Sequence, residues 1–139
     1  MEQHFYKHKV QYYETDQMGI VHHSNYIRWF EEARVDFLNN LGIGYKKMEE
    51  SGIISPVVEV HAVYRTMTHF DDVVEIQIKV QKYNGIVLEL CYEVCDEKTR
   101  QVRCAGDSRH CFLNREGQPI SLKKSYPDFD KILQKISDK

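Results

Sequence analysis

Residues 25–41 carry a long apolar pattern of helical period, and this segment limits the possible folds more than any other. One face of the expected helix collects apolar side chains at spacings of three and four, namely Tyr26, Phe30, Ala33, Phe37 and Leu41. Ile27, Trp29 and Leu38 widen the apolar surface beyond a narrow stripe. We therefore expect other elements to enclose this helix over much of its circumference.

The ends of the helix also carry sequence signals. Ser24 or Asn25 is predicted to cap its start, and Gly42 stands where a left-handed C-terminal cap is expected. Between Gly44 and Gly52 the sequence predicts a short helical connection.

Strand patterns flank the helix on both sides. Phe5–Tyr13 is rich in aromatic and β-branched residues and predicts a strand, whereas residues 14–19 predict a loop. After Pro56 a β-prone run extends over residues 57–67, and residues 74–80 alternate apolar with polar side chains.

The second half of the chain continues as strands. Asn84-Gly85 predicts a type I′ hairpin turn into a strand over residues 86–95. A polar turn over residues 96–100 leads to a last strand over residues 102–113. A sheet of this size must bury its apolar face, and the long helix is the element suited to cover it. The order of strands and helices along the chain predicts an α+β fold in which an antiparallel sheet wraps around a long central helix.

Composition narrows the class of protein further. The 139 residues fit one domain over the whole chain. Near its end, Pro127 is placed to open a short final helix. A net charge of -2 gives no general reason to expect nucleic-acid binding. No apolar stretch is suited to a secretory signal or a membrane span. The cysteine spacings match no zinc or redox motif, so free thiols in the cytoplasm are expected, at Cys91, Cys95, Cys104 and Cys111.

One motif joins the first loop to the long helix. Its members are Tyr12, Asp16, Gly19, Val21, His23, Tyr26, Glu31, Ala33 and Arg34. Their spacing resembles the 4-hydroxybenzoyl-CoA thioesterase family of hotdog proteins, closest to the branch of Tol-Pal-associated acyl-CoA thioesterases. The resemblance in strand order extends over nearly the whole chain.

The resemblance implies roles for individual residues. Asp16 matches the aspartate that attacks the thioester carbonyl or activates a water, and the backbone N–H of His23 matches the group that polarises the carbonyl oxygen. The His23 side chain and Tyr12 match further catalytic positions, and Gly19, Val21 and Tyr26 match substrate-binding positions. The family also implies an acyl-CoA substrate, no cofactor, and a homodimer, often paired into a homotetramer.

Thioester hydrolysis is compatible with an aspartate and a helix N-terminus at these positions. Thioester hydrolysis needs a nucleophile or base and a positive dipole where the oxyanion develops, and helix N-termini present free N–H groups. A thiolate leaving group needs little help from a general acid. Taken alone, however, an aspartate before a helix is most often a turn or cap residue, and a strand tyrosine is most often a core residue.

Several alternatives stay open from the sequence. His23 with Glu31 or Glu32 is compatible with a hotdog dehydratase of 3-hydroxyacyl thioesters, and a non-catalytic thioester-binding protein is a third hypothesis. Glu31 and Arg34 are spaced to pair on the helix as a structural contact. His22 and His23 lack a third metal ligand at a recognisable spacing, so no metal is expected. Five basic residues are candidates for the coenzyme A phosphates, namely Arg65, Lys79, Lys82, Arg103 and Arg109.

Overall fold

The computed structural model of the protein describes residues 4–137. Residues 1–3 and 138–139 of the expected single domain lie outside the described residues. The strands are β1 (Phe5–Lys9), β2 (Val57–Tyr64), β3 (Val73–Tyr83), β4 (Val87–Asp96) and β5 (Val102–Cys111). The helices are α1 (Ser24–Asn40), α2 (Tyr45–Glu50), α3 (Leu122–Ser125) and α4 (Pro127–Ser137).

The five strands form one antiparallel sheet in the order β1-β3-β4-β5-β2. The predicted α+β class is therefore confirmed. β2 stands at one edge and pairs with β5 on its inner side. Among residues 4–137, no helix is both long and apolar enough to cross a membrane.

The apolar face of α1 packs against the sheet. Trp29 and Phe30 are fully buried, and the Phe30 ring stacks on Tyr92 of β4 with centroids 4.3 Å apart. Burial of such side chains stabilises the fold by about 1.5–3 kcal/mol each. Ile27, expected to widen the buried surface, is instead 40% exposed.

The close approach of α1 to β2 and β5 at the Phe30 ring requires a glycine in β5. A Cβ on Gly106 would lie 2.4 Å from the backbone oxygen of His61 in β2 and 2.6 Å from the Phe30 ring. Both distances are shorter than a carbon side chain tolerates, so the missing side chain lets α1, β2 and β5 meet.

The predicted limits of the helix were nearly correct, but its start is capped differently. α1 is preceded by His23 as the N-cap residue, with no hydrogen bond from its side chain. The Asn25 amide instead donates to the Glu14 carbonyl at 2.8 Å, so it ties the loop to the helix. Gly42, with φ +84°, adopts the predicted left-handed conformation after the helix.

Four predicted strand features need correction, and one of them is the last strand, β5, which ends at Cys111 rather than Leu113. β1 ends at Lys9 rather than Tyr13, because the chain turns into a 3₁₀ helix at Tyr12–Glu14. β2 ends at Tyr64, three residues before the predicted end. The hairpin at Asn84 forms, but a type I′ turn does not, because Asn84 has no positive φ and its side-chain oxygen accepts the N–H groups of Ile86 and Val87.

Candidate active site

The loop that carries Asp16 is a small hairpin. Thr15 and Val21 pair in an antiparallel bridge. The Asp16 N–H donates to the Ile20 carbonyl at 2.8 Å, and the Gly19 N–H donates to the Asp16 carbonyl at 2.9 Å. Gly19 has φ +77°, a conformation that glycine adopts without steric cost. Local hydrogen bonds therefore fix the backbone of Asp16 in a tight turn.

The Asp16 carboxylate is held by one donor. Its Oδ1 accepts the Met18 N–H at 2.8 Å, and the side chain is half-buried. Oδ2 accepts no hydrogen bond from residues 4–137. An oxygen that is positioned in this way and still unpaired is suited to attack a carbonyl or to take a proton.

The start of α1 supplies a free backbone donor. His23 already has helical backbone angles, φ -54° and ψ -30°. The neighbouring N–H of His22 donates to the Glu14 carbonyl at 2.9 Å, whereas the His23 N–H finds no acceptor within residues 4–137. An unpaired N–H at the positive end of a helix can receive a carbonyl oxygen that gains negative charge.

Asp16 and His23 both line a cavity of about 640 Å³. Its walls include Asp16, Val21, His23, Tyr26, Tyr64 and Arg65. The volume is typical of small-molecule sites. Of the six residues predicted as catalytic or substrate-binding, four therefore line one cavity, and Gly19 forms the turn that follows Asp16.

Two tyrosines, Tyr26 and Tyr64, line this cavity. The Tyr64 hydroxyl donates to the His23 carbonyl at 3.3 Å, and its ring lies 5.4 Å from that of Tyr26. The Tyr26 hydroxyl bonds with that of Thr68 at 2.9 Å, and burial raises the Tyr26 pKa. Both phenols therefore remain neutral near pH 7. The sequence indicates Tyr26 as a substrate-binding residue, whereas Tyr64 carries no predicted site role.

The sequence profile of the thioesterase-like superfamily matches residues 10–135, which include the whole cavity wall. The chain belongs to the thioesterase-like superfamily. This match confirms the resemblance on which the sequence analysis relied.

Individual relatives of this thioesterase-like chain support the assignment. It is 32% identical over 127 residues to YneP of Bacillus subtilis, provisionally named an acyl-CoA thioesterase, with 91% of this chain and 92% of YneP covered. It is 26% identical over 117 residues to the acyl-CoA thioester hydrolase YbgC of Escherichia coli O6:H1, with 84% and 87% covered. The crystal structure of a DHNA-CoA thioesterase from Staphylococcus aureus superimposes with a TM-score of 0.94 at 31% identity, covering 99% of this chain and 93% of that one.

A buried carboxylate two residues before Asp16 anchors the loop that carries Asp16. Glu14 is 5% exposed, and its Oε1 accepts the Gln11 N–H and bonds with His8 Nε2, both at 2.8 Å. Its Oε2 accepts the Trp29 indole N–H at 2.8 Å. The Glu14 backbone carbonyl accepts two further donors, from His22 and Asn25. Glu14 therefore fixes the Asp16 loop relative to the start of α1.

The hydrogen bonds at Glu14 also set its charge. Burial alone would raise the pKa of this carboxyl, but the donors from Gln11, His8 and Trp29 outweigh that effect and lower the pKa. Glu14 is therefore ionised at neutral pH. The sequence alone indicates only the start of a polar loop at Glu14, so the buried contacts of this residue are apparent only in the structure.

Tyr12 lies outside the lining of this cavity. It is in the 3₁₀ helix, not at a strand end, and its side chain is 77% exposed. Its ring packs edge-on against Phe70 with centroids 5.6 Å apart. Within residues 4–137, Tyr12 does not line the cavity that contains Asp16, so its predicted catalytic role stays a prediction.

The histidines beside the site do not form a metal cluster within residues 4–137, where no group of three ligands converges. The rings of His22 and His23 lie 4.2 Å apart, and His22 Nδ1 bonds with the Ser24 hydroxyl at 2.9 Å. His22 therefore contacts the first turn of α1 through Ser24.

Proposed function

We propose that this protein hydrolyses an acyl-CoA thioester to a free carboxylic acid and CoA. The observation that carries the proposal is that one cavity is lined both by Asp16, whose Oδ2 is unpaired within residues 4–137, and by His23, whose N–H is unpaired within the same residues. The acyl-CoA thioesterase names of YneP and YbgC support the same substrate class. We also propose that the sheet encloses α1 as the central helix of a single hotdog domain.

In the proposed reaction, the thioester oxygen accepts the His23 N–H while the carbonyl carbon is attacked. Either the Asp16 carboxylate bonds to that carbon, or Asp16 takes a proton from a water that does so. The carbon–sulfur bond then breaks, and its electron pair leaves with the CoA thiolate, which takes a proton from solvent. In the first route, water hydrolyses the resulting anhydride and regenerates Asp16.

A panel of acyl-CoA substrates with a free-thiol assay tests this proposal on the wild type and on Asp16→Asn. Asparagine keeps the acceptor for Met18, so we expect a folded protein whose kcat falls by about 10²–10⁴. Asp71→Asn is a matched control, since Asp71 is exposed and pairs with Lys9 away from the cavity. Full activity in a folded Asp16→Asn protein would exclude the mechanism.

A single turnover in ¹⁸O-labelled water tests for direct attack. If water opens the anhydride at the Asp16 carbon, label enters the Asp16 side chain and the first acid product is unlabelled, because its new oxygen comes from Asp16. Label in the acid alone fits water activation and also fits an anhydride that water opens at the acyl carbon, so mass spectrometry of rapidly quenched enzyme for the acyl-Asp16 adduct then separates the two. Mass spectrometry of the acid and of the Asp16 peptide reads both outcomes.

The alternative functions have less support. Glu31 and Glu32 do not line the cavity that holds His23, which disfavours a dehydratase. Hydration of an enoyl-CoA, followed at its ultraviolet band, would restore that hypothesis. Tight acyl-CoA binding without hydrolysis at high protein concentration would favour a non-catalytic binding protein.

We propose Arg65 as the residue that binds a CoA phosphate. It is exposed and lines the cavity, whereas the candidate Arg103 pairs with Asp96 at 3.3 Å and bonds with Thr66. Arginine recognises phosphate with several donors at once. Arg65→Gln is expected to raise KM for acyl-CoA more than it lowers kcat, and Arg109→Gln serves as the control, because the candidate Arg109 does not line this cavity.

We propose a homodimer formed through the edge strand β2, with dimers pairing into a tetramer. Val57, Val58, Val63 and Tyr64 of this strand are each between 47% and 55% exposed. Exposed apolar edge strands pair readily with another chain. Light scattering gives the mass, and Val63→Asp is expected to lower it, while Ile86→Asp at the hairpin leaves it unchanged.

We further propose that the protein acts in the cytoplasm. Its four cysteines are free thiols, and those of Cys95 and Cys104 are buried. Unpaired thiols fit a reducing compartment. Cell fractionation tests this location.

A further inference from the structure

The hairpin between β3 and β4 carries an exposed asparagine that is followed by a glycine. Asn84 is exposed, and Gly85 adopts a left-handed φ of +90°. Neither residue lines the cavity that contains Asp16. The proposed hydrolysis of thioesters therefore makes no use of this pair.

The side chain of Asn84 folds back over the backbone of the turn. Its Oδ1 accepts the N–H of Ile86 at 2.9 Å and the N–H of Val87 at 2.8 Å. The bond from Ile86 closes an Asx turn, a small ring that contains both the side-chain amide carbon of Asn84 and the backbone nitrogen of Gly85. These two atoms are therefore held on one ring, and Gly85 has no Cβ that would crowd them.

Two further features favour a bond between these atoms. The Gly85 N–H donates to no acceptor within residues 4–137, so removal of its proton breaks no hydrogen bond there. The two donors at Oδ1 of Asn84 point at the oxygen that becomes negative when the amide carbon is attacked, as the donors of an oxyanion hole do. Gly85 itself is buried, so water reaches the pair from the side of the exposed Asn84.

We propose that Asn84 is a site of spontaneous deamidation in the folded protein. The Gly85 nitrogen gives its proton to hydroxide and bonds to the side-chain amide carbon of Asn84, and the carbon–nitrogen bond of that amide then breaks. The amide nitrogen leaves with the electron pair, takes a proton from water and departs as ammonia. Water opens the resulting succinimide at either carbonyl, which gives aspartate or isoaspartate at this position.

Isoaspartate changes the hairpin more than aspartate does. It routes the main chain through the former side chain, so the acceptor for the N–H groups of Ile86 and Val87 is lost from the turn. The Gly85 carbonyl accepts the N–H of the fully buried Leu122 at 2.9 Å, and a Cβ on Gly85 would lie 3.0 Å from Cγ of Lys123. The hairpin therefore packs directly on α3, and we expect its isoaspartate form to loosen α3 and α4.

Asn114 provides a matched comparison within the same chain. Its Oδ1 also accepts two backbone N–H groups, from Glu116 at 3.0 Å and from Gln118 at 2.9 Å, but the next residue is Arg115. In the folded wild-type protein at mildly alkaline pH, we expect Asn84 to convert at least about tenfold faster than Asn114. Peptide mapping by mass spectrometry in ¹⁸O-labelled water measures both rates, because each conversion adds a labelled oxygen.

Urea unfolding of fresh and aged samples tests the consequence for the fold. Aspartate keeps the acceptor for Ile86 and Val87, so fresh Asn84→Asp is expected to unfold near the midpoint of fresh wild type. Aged wild type is expected to contain a second population with a lower midpoint, in proportion to its isoaspartate content. Glutamine closes a larger ring and reacts slowly, so Asn84→Gln is expected to keep its own midpoint on ageing.

Three results would overturn the proposal. If Asn84 stays intact in the folded protein but converts in urea, the fold protects this site. Equal conversion of Asn84 and Asn114 would show that the glycine does not select the site. An unchanged midpoint in aged protein that contains isoaspartate would show that the hairpin does not support α3 and α4.

Discussion

The indole N–H of Trp29 donates a 2.8 Å hydrogen bond to Oε2 of Glu14 and thereby ties α1 to the turn that precedes Asp16. The same carboxylate also hydrogen-bonds with the Gln11 N–H and with the His8 ring, and the Glu14 carbonyl accepts the N–H of His22. The proposed nucleophile or base and the proposed oxyanion donor at His23 are therefore positioned through one buried residue. Neither group needs to touch Glu14 for its geometry to depend on it.

Glu14→Gln is expected to lower kcat about tenfold with little change in KM, because it loosens the loop without altering the cavity wall. A glutamine offers one acceptor oxygen to the donors of Gln11, His8 and Trp29, so at least one N–H loses its partner, at a cost of about 1–3 kcal/mol. Steady-state kinetics and urea unfolding measure the two effects.

Glu32→Gln is the matched control for this change. The Glu32 carboxylate lies 3.7 Å from the other ring nitrogen of His8 and is 47% exposed, so stability and kcat are expected to stay near wild type. A Glu14→Gln protein that is less stable but has an unchanged kcat would restrict Glu14 to a structural role.

The lowered pKa of Glu14 predicts acid sensitivity of the fold. The folded pKa is below the unfolded value, so the stabilising contribution is fully present above the model-peptide value of 4.5 and is lost as pH falls through the folded pKa. Urea unfolding at a series of pH values measures this loss. The stability difference between wild type and Glu14→Gln is expected to shrink below about pH 4. A constant difference between pH 7 and pH 3 would contradict the assignment.

Much of this architecture was predictable because it depends on local periodicity. The 3.6-residue pattern located α1 within one residue at each end, and Gly42 marked its end because a left-handed residue was needed there. Alternation placed β3 and β4, since one face of each strand is buried, and the polar turn at residues 96–100 placed the start of β5. The motif that contains Asp16 and His23 was recognised as a spacing, and both residues line one cavity.

The missed features depend on contacts between distant parts of the chain. Glu14 follows a tyrosine pair in a polar stretch, and nothing local shows that Trp29, 15 residues later, donates to it. The same contacts end β1 early, because the Glu14 side chain accepts the Gln11 N–H and closes the 3₁₀ turn. The role of Tyr64 was not predicted for a related reason, since only the fold places its hydroxyl against the His23 carbonyl.

Tyr64 and Tyr12 make a matched pair for testing which tyrosine assists the reaction. Tyr64→Phe removes the hydrogen bond that helps to orient the His23 peptide, and a loss of about two- to tenfold in kcat/KM is expected. Tyr12→Phe is expected to leave kcat/KM unchanged, because Tyr12 contacts Phe70 outside the cavity. Free-thiol assays on both variants decide, and the opposite ranking would restore the role implied for Tyr12 by the resemblance.

Gly106 tests the packing that holds α1 against β5 and β2. In Gly106→Ala the new methyl group would meet the His61 carbonyl at 2.4 Å and the Phe30 ring at 2.6 Å, so β2 or α1 must move. We expect a loss of about 1–3 kcal/mol in the free energy of unfolding, measured with urea. Gly117→Ala is the contrasting control, since its Cβ meets open space but its φ of +79° is left-handed, which costs about 1 kcal/mol. A smaller loss in Gly106→Ala than in Gly117→Ala would show that this contact relaxes easily and does not fix the helix on the sheet.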